Sequence, residues 1–269
     1  MSELRNSLRA FGVVLGRDLR VYLSYRSRLF SQFLTSIFSL TLFYYVSRLV
    51  HVSGFASPSD YFGFVIVGIA LVGVLYSCFS VADTVRQELI AGTFERLVLS
   101  PFGPVRSVIA MAVFPLIYAF VLGAFTLTLG WLVFGLHLHW STVPLAIPAM
   151  VLALLAFLPF GLAFAALTVV MKQGNVGTSW VIALISIVGG LYFPITLLPG
   201  WVQTATKFQP FTPSTEMLRH LLVDSPQATS ALVTIAKVAL FAAVLVPVSI
   251  WALGRAIQVG QRRGTIVEY

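Results

Sequence analysis

Asp83-Thr-Val-Arg-Gln-Glu-Leu-Ile-Ala-Gly-Thr-Phe-Glu-Arg-Leu-Val-Leu-Ser-Pro-Phe-Gly-Pro104 is the longest well-charged interruption in an otherwise apolar sequence. It carries Asp83, Arg86, Glu88, Glu95 and Arg96, while the stretches on either side carry almost no charge. Gly92 breaks it once and Ser100-Pro101 breaks it again. The spacing predicts one short helix between the breaks, from Thr93 to Leu99. Thr93 has a hydroxyl suited to cap its N-terminus, and Glu95 in the first turn suits the positive end of the helix dipole. A residue before proline is pushed out of the helical region, so Ser100 should end the helix. A short capped helix between two membrane-crossing segments is a rigid object that a partner can push.

The composition around this stretch is that of a membrane protein. Of 269 residues, 58% are hydrophobic and 10% are charged, against roughly 25% charged in a soluble domain. Mean hydropathy is +0.94. The single cysteine, Cys78, lies in an apolar run, so the sequence offers neither a disulfide framework nor a cysteine metal site. The fold class expected is all-α: a polytopic membrane protein of six transmembrane helices within residues 29–254.

Residues 1–28 hold Arg5, Arg9, Arg17, Arg20, Arg26 and Arg28. At helical spacing Leu4, Leu8, Phe11, Leu15 and Tyr22 share one face, with Arg5, Arg9, Arg17 and Arg20 opposite. That is the pattern of an amphipathic helix lying in the membrane interface. Asp18 and Val13 blur it. The long charged leader and the full-length apolar segment behind it argue against a cleaved signal peptide.

The spans expected are 29–50, 61–82, 107–134, 143–171, 179–191 and 231–253. The first is rich in hydroxyls and amides, and Gln32, Ser36, Ser39 and Phe43 share a face. Polar groups in a span should face protein or water. That face therefore reads either as a conduit wall or as a helix–helix hydrogen-bonding seam. Pro159 and Gly161 mark an expected kink in the fourth span, which is longer than the ~20 residues a bilayer requires. His137 and His139 read as ordinary loop histidines, because a metal site needs further ligands that are not near. Residues 192–222 are too broken for one helix and too apolar for a plain loop. They hold Tyr192, Phe193-Pro194, Leu198-Pro199 and Trp201, then a short amphipathic helix near Val202–Phe208, then a helix with Glu216, Arg219 and His220. Such backbone at membrane depth is tolerated only against protein or a water-filled cavity. Glu216 and Arg219 read as a solvated i,i+3 pair. Residues 255–269 read as a basic tail.

Lys and Arg are distributed unevenly. Thirteen fall in residues 1–28, the 83–106 loop, Lys172 and the tail, and four (Arg48, Lys207, Arg219 and Lys237) fall toward the other side. The positive-inside rule puts both termini and the 83–106 loop in the cytoplasm, in a cytoplasmic or inner membrane. The net charge of +8 is then a topology signal and an attraction to anionic membrane lipid, and it calls for no nucleic-acid partner. All nine acidic residues sit outside the expected spans or at their edges, so the sequence lacks the intramembrane carboxylate that ion-coupled transport usually uses. It also lacks the Gly-x-x-x-x-Gly-Lys-[Ser/Thr] phosphate loop and any intramembrane acidic or histidine cluster for catalysis. What is left is a non-enzymatic membrane half that borrows energy from a partner.

Glu88, Gly92-Thr93, Glu95 and Ser100-Pro101, at these spacings, resemble the first cytoplasmic loop of type-2 ATP-binding cassette exporter permeases. The resemblance extends to the interfacial helix, the six spans and the broken segment with Phe193-Pro194, Leu198-Pro199-Gly200-Trp201 and Pro210 to Arg219, which it implies is a re-entrant pair of half-helices on the exit side, between the fifth and sixth spans. It implies a gate and coupling loop at 83–106, with Glu88, Gly92, Thr93, Glu95, Arg96, Ser100 and Pro101 coupling to a separate ATPase. It implies two ATPase subunits holding ATP and magnesium, and a second permease chain in a homodimer. It also implies a conduit for which Gln32, Ser36, Ser39, Phe43, Tyr192, Phe193 and Trp201 are candidates. The 22 Phe, 9 Tyr and 5 Trp suit stacking on a lipid-linked glycan, polysaccharide or glycolipid, but they equally suit a lipid-facing protein. Export of hydrophobic drugs or antibiotics is the alternative, and a secondary transporter or channel is the competing class.

Overall fold

In the computed structural model the described residues are 26–49, 57–100, 102–171, 177–225 and 229–262, with Phe55 and, ahead of residue 26, Gly12, Leu15, Gly16, Arg17, Leu19, Arg20, Tyr22 and Ser24. Leu4, Leu8 and Phe11 of the expected interfacial stripe, and Pro101, lie outside them.

Nine α-helices run through the described stretches: α1 (Arg26–Leu49), α2 (Pro58–Ile90), α3 (Phe94–Leu99), α4 (Pro104–Phe134), α5 (Val143–Met171), α6 (Thr178–Val188), α7 (Gly200–Ala205), α8 (Phe211–Val223) and α9 (Ala231–Arg262). Short 3-10 turns at Ile195–Leu197 and Thr206–Phe208 join the pieces between α6 and α8. No strand occurs among the described residues. The chain is an all-α, multi-pass membrane protein.

Its centre is α2. Ser57 starts this helix by accepting the Asp60 amide on its hydroxyl, and Pro58 takes the first helical position, where a missing N–H costs nothing. The helix packs against α4 on one side and α5 on another, with α1 and α8 also on it, while α5 packs in turn on α9. The most apolar window of α2 is 72% buried within the chain and that of α9 is 17% buried, so α2 is the hub and α9 faces outward. A Cβ on Gly161 would lie 2.0 Å from the Cys78 carbonyl oxygen. Gly161 is therefore where α5 meets the α2 backbone, and α5 continues helically through both Pro148 and Pro159.

Four of the described helices, α2, α4, α5 and α9, are long and apolar enough to cross a bilayer. Two of the six expected spans do not meet that standard. The α1 helix has the length, at 24 residues, but its hydroxyls and amides lower its hydropathy. The α6 helix, at 11 residues, is too short to cross by itself. Two boundaries also shift. The charged residues Asp83, Arg86 and Glu88 belong to the last turns of α2 and not to a loop. The last helix runs on to Arg262, through the stretch expected to be a tail. Leu253, Ala256, Ile257 and Gly260 recur at helical spacing and are buried, and the first three join the apolar cluster beneath α3.

Candidate functional site

The α2–α3 junction is built from backbone outward. Gly92 sits at φ +66°, a left-handed conformation that most side chains disfavour. Its amide donates to the Leu89 carbonyl at 3.1 Å, and the Thr93 amide donates to the Glu88 carbonyl at 3.0 Å. This pair of bonds is the Schellman closure, which satisfies the last carbonyls of α2 and turns the chain sharply. The chain then enters α3 with Phe94 fully buried. Phe94 joins Val85 and Leu89 of α2, Val108 of α4, Leu162 of α5 and Leu253 of α9 in one cluster. The residue that seats the short helix is thus the aromatic just inside the cap, which the sequence reading passed over. Its signal was present: one large apolar residue directly after the break, in a six-residue helix with two charges.

Thr93 does not cap α3 as expected. Its own backbone is helical (φ −86°, ψ −15°), and its side chain makes no cap bond. The hydroxyl instead donates backward, to the Glu88 carboxylate and, at 3.3 Å, to the Glu88 carbonyl. The same carboxylate receives Arg17 from the N-terminal segment at 3.5 Å. Glu88 is therefore a bracket joining three segments and is turned away from solvent, with only 17% of its side chain exposed. Exposed around the junction are Ile90 at the end of α2, Ala91 and Gly92 in the turn, and Glu95, Arg96 and Leu99 of α3, the last 78% exposed. Ser100 ends the helix as expected, in an extended conformation with ψ 140°, and its hydroxyl accepts the Phe102 amide at 3.2 Å.

The opposite end of the bundle holds the broken segment, where Arg219 overturns the solvated-pair reading. Arg219 is 4% exposed. Its Nε donates to the Phe64 carbonyl at 3.0 Å, Nη1 to Gly190 at 2.9 Å and Nη2 to Leu191 at 2.7 Å. The guanidinium lies over the Phe64 ring. Among the described residues no carboxylate forms an ion pair with it. Its charge is satisfied by one carbonyl of α2 and by two from the turn that follows α6, which is a sound solution for a buried cation. The fit needs Gly68, where a Cβ would lie 1.7 Å from the Leu191 oxygen. Arg219 is a clamp that holds α8 and the end of α6 against α2.

The conduit candidates separate into two groups. Gln32, Ser36, Ser39 and Phe43 of α1 are all half-buried against the rest of the chain. Gln32 accepts the Tyr22 hydroxyl at 2.9 Å. Ser36 and Ser39, with Thr35 and Thr126, line a cavity of about 160 Å³ between α1, α2 and α4. Phe43 stacks on Tyr192, with ring centroids 6.2 Å apart. This ties α1 to the broken segment, where Tyr192 also touches Phe193. Trp201 stands apart, 76% exposed. The His137–His139 loop is pinned to α8 by its backbone, the His139 amide donating to Leu222 at 2.9 Å. Among the described residues no group of three or more His, Cys, Asp or Glu side chains could hold a metal.

Residues 9–223, from the N-terminal segment through α8, match the family described as ABC-2 type transporter. No curated protein matches the chain.

Proposed function

The chain belongs to the ABC-2 type transporter family, and from that premise we propose that it is the permease subunit of an exporter driven through α3. The family makes it the membrane half of a transporter that works with an ATP-binding cassette ATPase. The finer reading is that α3 is the coupling helix. The observation that carries it is the division of labour in these few residues. Phe94 anchors the helix in the bundle, while Ile90, Glu95, Arg96 and Leu99 stay uncovered. A buried aromatic with an exposed mixed apolar and charged face suits a helix that must hold to its own spans and be gripped by another protein.

In this reading two ATPase subunits, holding ATP and magnesium, act on two copies of this chain, and both termini and α3 face the cytoplasm. ATPase closure pushes α3. The motion enters α2 through the Schellman turn and the Glu88 bracket, and because α2 is the hub it reaches α4, α5 and the Arg219 clamp. The conduit forms where two permease chains meet, and the Phe43–Tyr192 contact carries the motion from α1 to the exit segment. The substrate class favoured is a lipid-linked glycan, polysaccharide or glycolipid. Hydrophobic drugs are the alternative.

Glu95→Arg tests the assignment. It reverses a charge on an exposed first turn, which leaves the bundle intact, but a like charge facing a partner opposes docking. Wild-type membrane yield with loss of ATPase co-purification and of transport is expected. Wild-type yield, partner binding and transport together would remove α3 from the coupling path.

A further inference from the structure

A second cavity, of about 180 Å³, lies between α2, α4, α5 and α8, toward the end of the bundle away from α3. Its wall is apolar, with Leu71, Leu127, Ala146, Met150 and Leu218 among the lining residues. The polar side chains in the wall are Thr128, whose hydroxyl already donates to the Ala124 carbonyl at 2.8 Å, and the indole of Trp140. A buried water needs two to four polar partners, and this wall does not supply them. The contrast with the neighbouring cavity is direct. That one shares Ala70 and Gly123 with this one but is lined by Thr35, Ser36, Ser39 and Thr126.

Consecutive helices α4 and α5 scarcely touch each other, because each packs on α2. The gap left between them is the mouth of the cavity, flanked by Trp140 and Ile147, which are 55% and 53% exposed. Both helices have strongly apolar spanning windows, with hydropathies of 2.4 and 2.5, so the mouth opens onto hydrocarbon. Trp140 meets Trp131 edge to face at 4.9 Å, a pair suited to the depth where acyl chains meet headgroups. An apolar cavity of about 150 Å³ is known to stay dry and to take up small hydrocarbons. The material at this mouth is of that kind.

We propose that this cavity seats a lipid hydrocarbon tail, entering between α4 and α5 and ending against Leu218 and Leu222 of α8. Those two leucines flank Arg219 in sequence, so the tail braces the helix whose guanidinium clamps the exit segment. The tail belongs either to a bilayer phospholipid or to the lipid anchor of a cargo. The site is separate from the α3 assignment and stands or falls without it.

The test is photolabelling of the full chain, purified with its co-purifying partner, in nanodiscs of phosphatidylcholine with a diazirine within one acyl chain. Ala146, Leu218 and Leu222 are 7%, 2% and 6% exposed, so lipid reaches them only from inside the cavity. Adducts on these residues are expected, as well as on the outward-facing Leu132 and Leu155. Ala146→Phe and, at the more exposed rim, Ala124→Phe should reduce the inner adducts to background and leave the outer ones unchanged. Adducts confined to Leu132 and Leu155, or inner adducts that persist in a folded Ala124→Phe protein, would overturn the proposal. Unlabelled polyprenyl phosphate added at low mole fraction separates the sources. Displacement of the inner label supports a cargo anchor, and retention of the inner label supports a bilayer lipid.

Discussion

Truncating Phe94 to alanine should uncouple the protein without unfolding it. Phe94 is fully buried, and a buried Phe→Ala change costs about 3–5 kcal/mol in lost transfer and cavity terms. The α3 helix has only six residues, far below the ~12–15 at which an isolated helix is even marginally stable. The anchor is therefore most of what keeps α3 ordered. At ~1.4 kcal/mol per factor of ten, the docked-to-undocked ratio should fall by roughly a hundredfold to a few thousandfold. The spans pack through other residues, so the loss is local. Arg96 is exposed on α3 and serves as a trypsin site. Proteolysis of a segment that opens quickly tracks the population of its open form. In detergent, Phe94→Ala should be cut after Arg96 far faster than wild type, with cleavage elsewhere unchanged and transport lost. Leu99→Asp is the control. Leu99 is already 78% exposed, so cleavage should stay at the wild-type rate while partner binding falls. Wild-type cleavage at Arg96 together with wild-type transport in Phe94→Ala would refute the anchor.

Two further outcomes follow from the geometry. In a Cys78→Ala background, cysteines at Ser57 and Ser141 should react in intact cells with an impermeant thiol reagent, whereas one at Ser100 should not. Labelling of Ser100→Cys from outside would invert the orientation. Arg219→Met removes three charge-assisted hydrogen bonds and leaves the Gly190 and Leu191 carbonyls without a donor. After the guanidinium's own desolvation is recovered, the cost should be about 3 kcal/mol, read as a lower unfolding midpoint in detergent. Arg219→Lys should not restore it, because one ammonium cannot reproduce the planar fork that reaches three carbonyls. A lysine variant as stable as wild type would show that charge alone matters there.

Much of this protein was legible from sequence because the decisive forces act within a few residues. A bilayer leaves backbone groups no water to bond with, so long apolar runs must be helices. Hence α4 and α5 fall close to where hydropathy places them, and Gly92 and Ser100 break the chain where local φ/ψ preference says they should. The end of α9 was also written in the spacing of Leu253, Ala256, Ile257 and Gly260, but Arg255, Arg262 and Arg263 made the stretch read as a tail. What the sequence could not decide was which distant groups meet. Arg219 finds its acceptors at Phe64, Gly190 and Leu191, and on its own helix it is indistinguishable from a solvated cation. Thr93 has the chemistry of a cap, yet its hydroxyl turns to Glu88 because the Schellman turn brings that carboxylate within reach and Arg17 arrives from the N-terminal segment. The polar face of α1 could line a conduit or a seam, and packing turned it toward the cavity under α2 and α4. A side chain's type limits the bonds it can make. Only the tertiary arrangement determines which unsatisfied partners are near enough to make them.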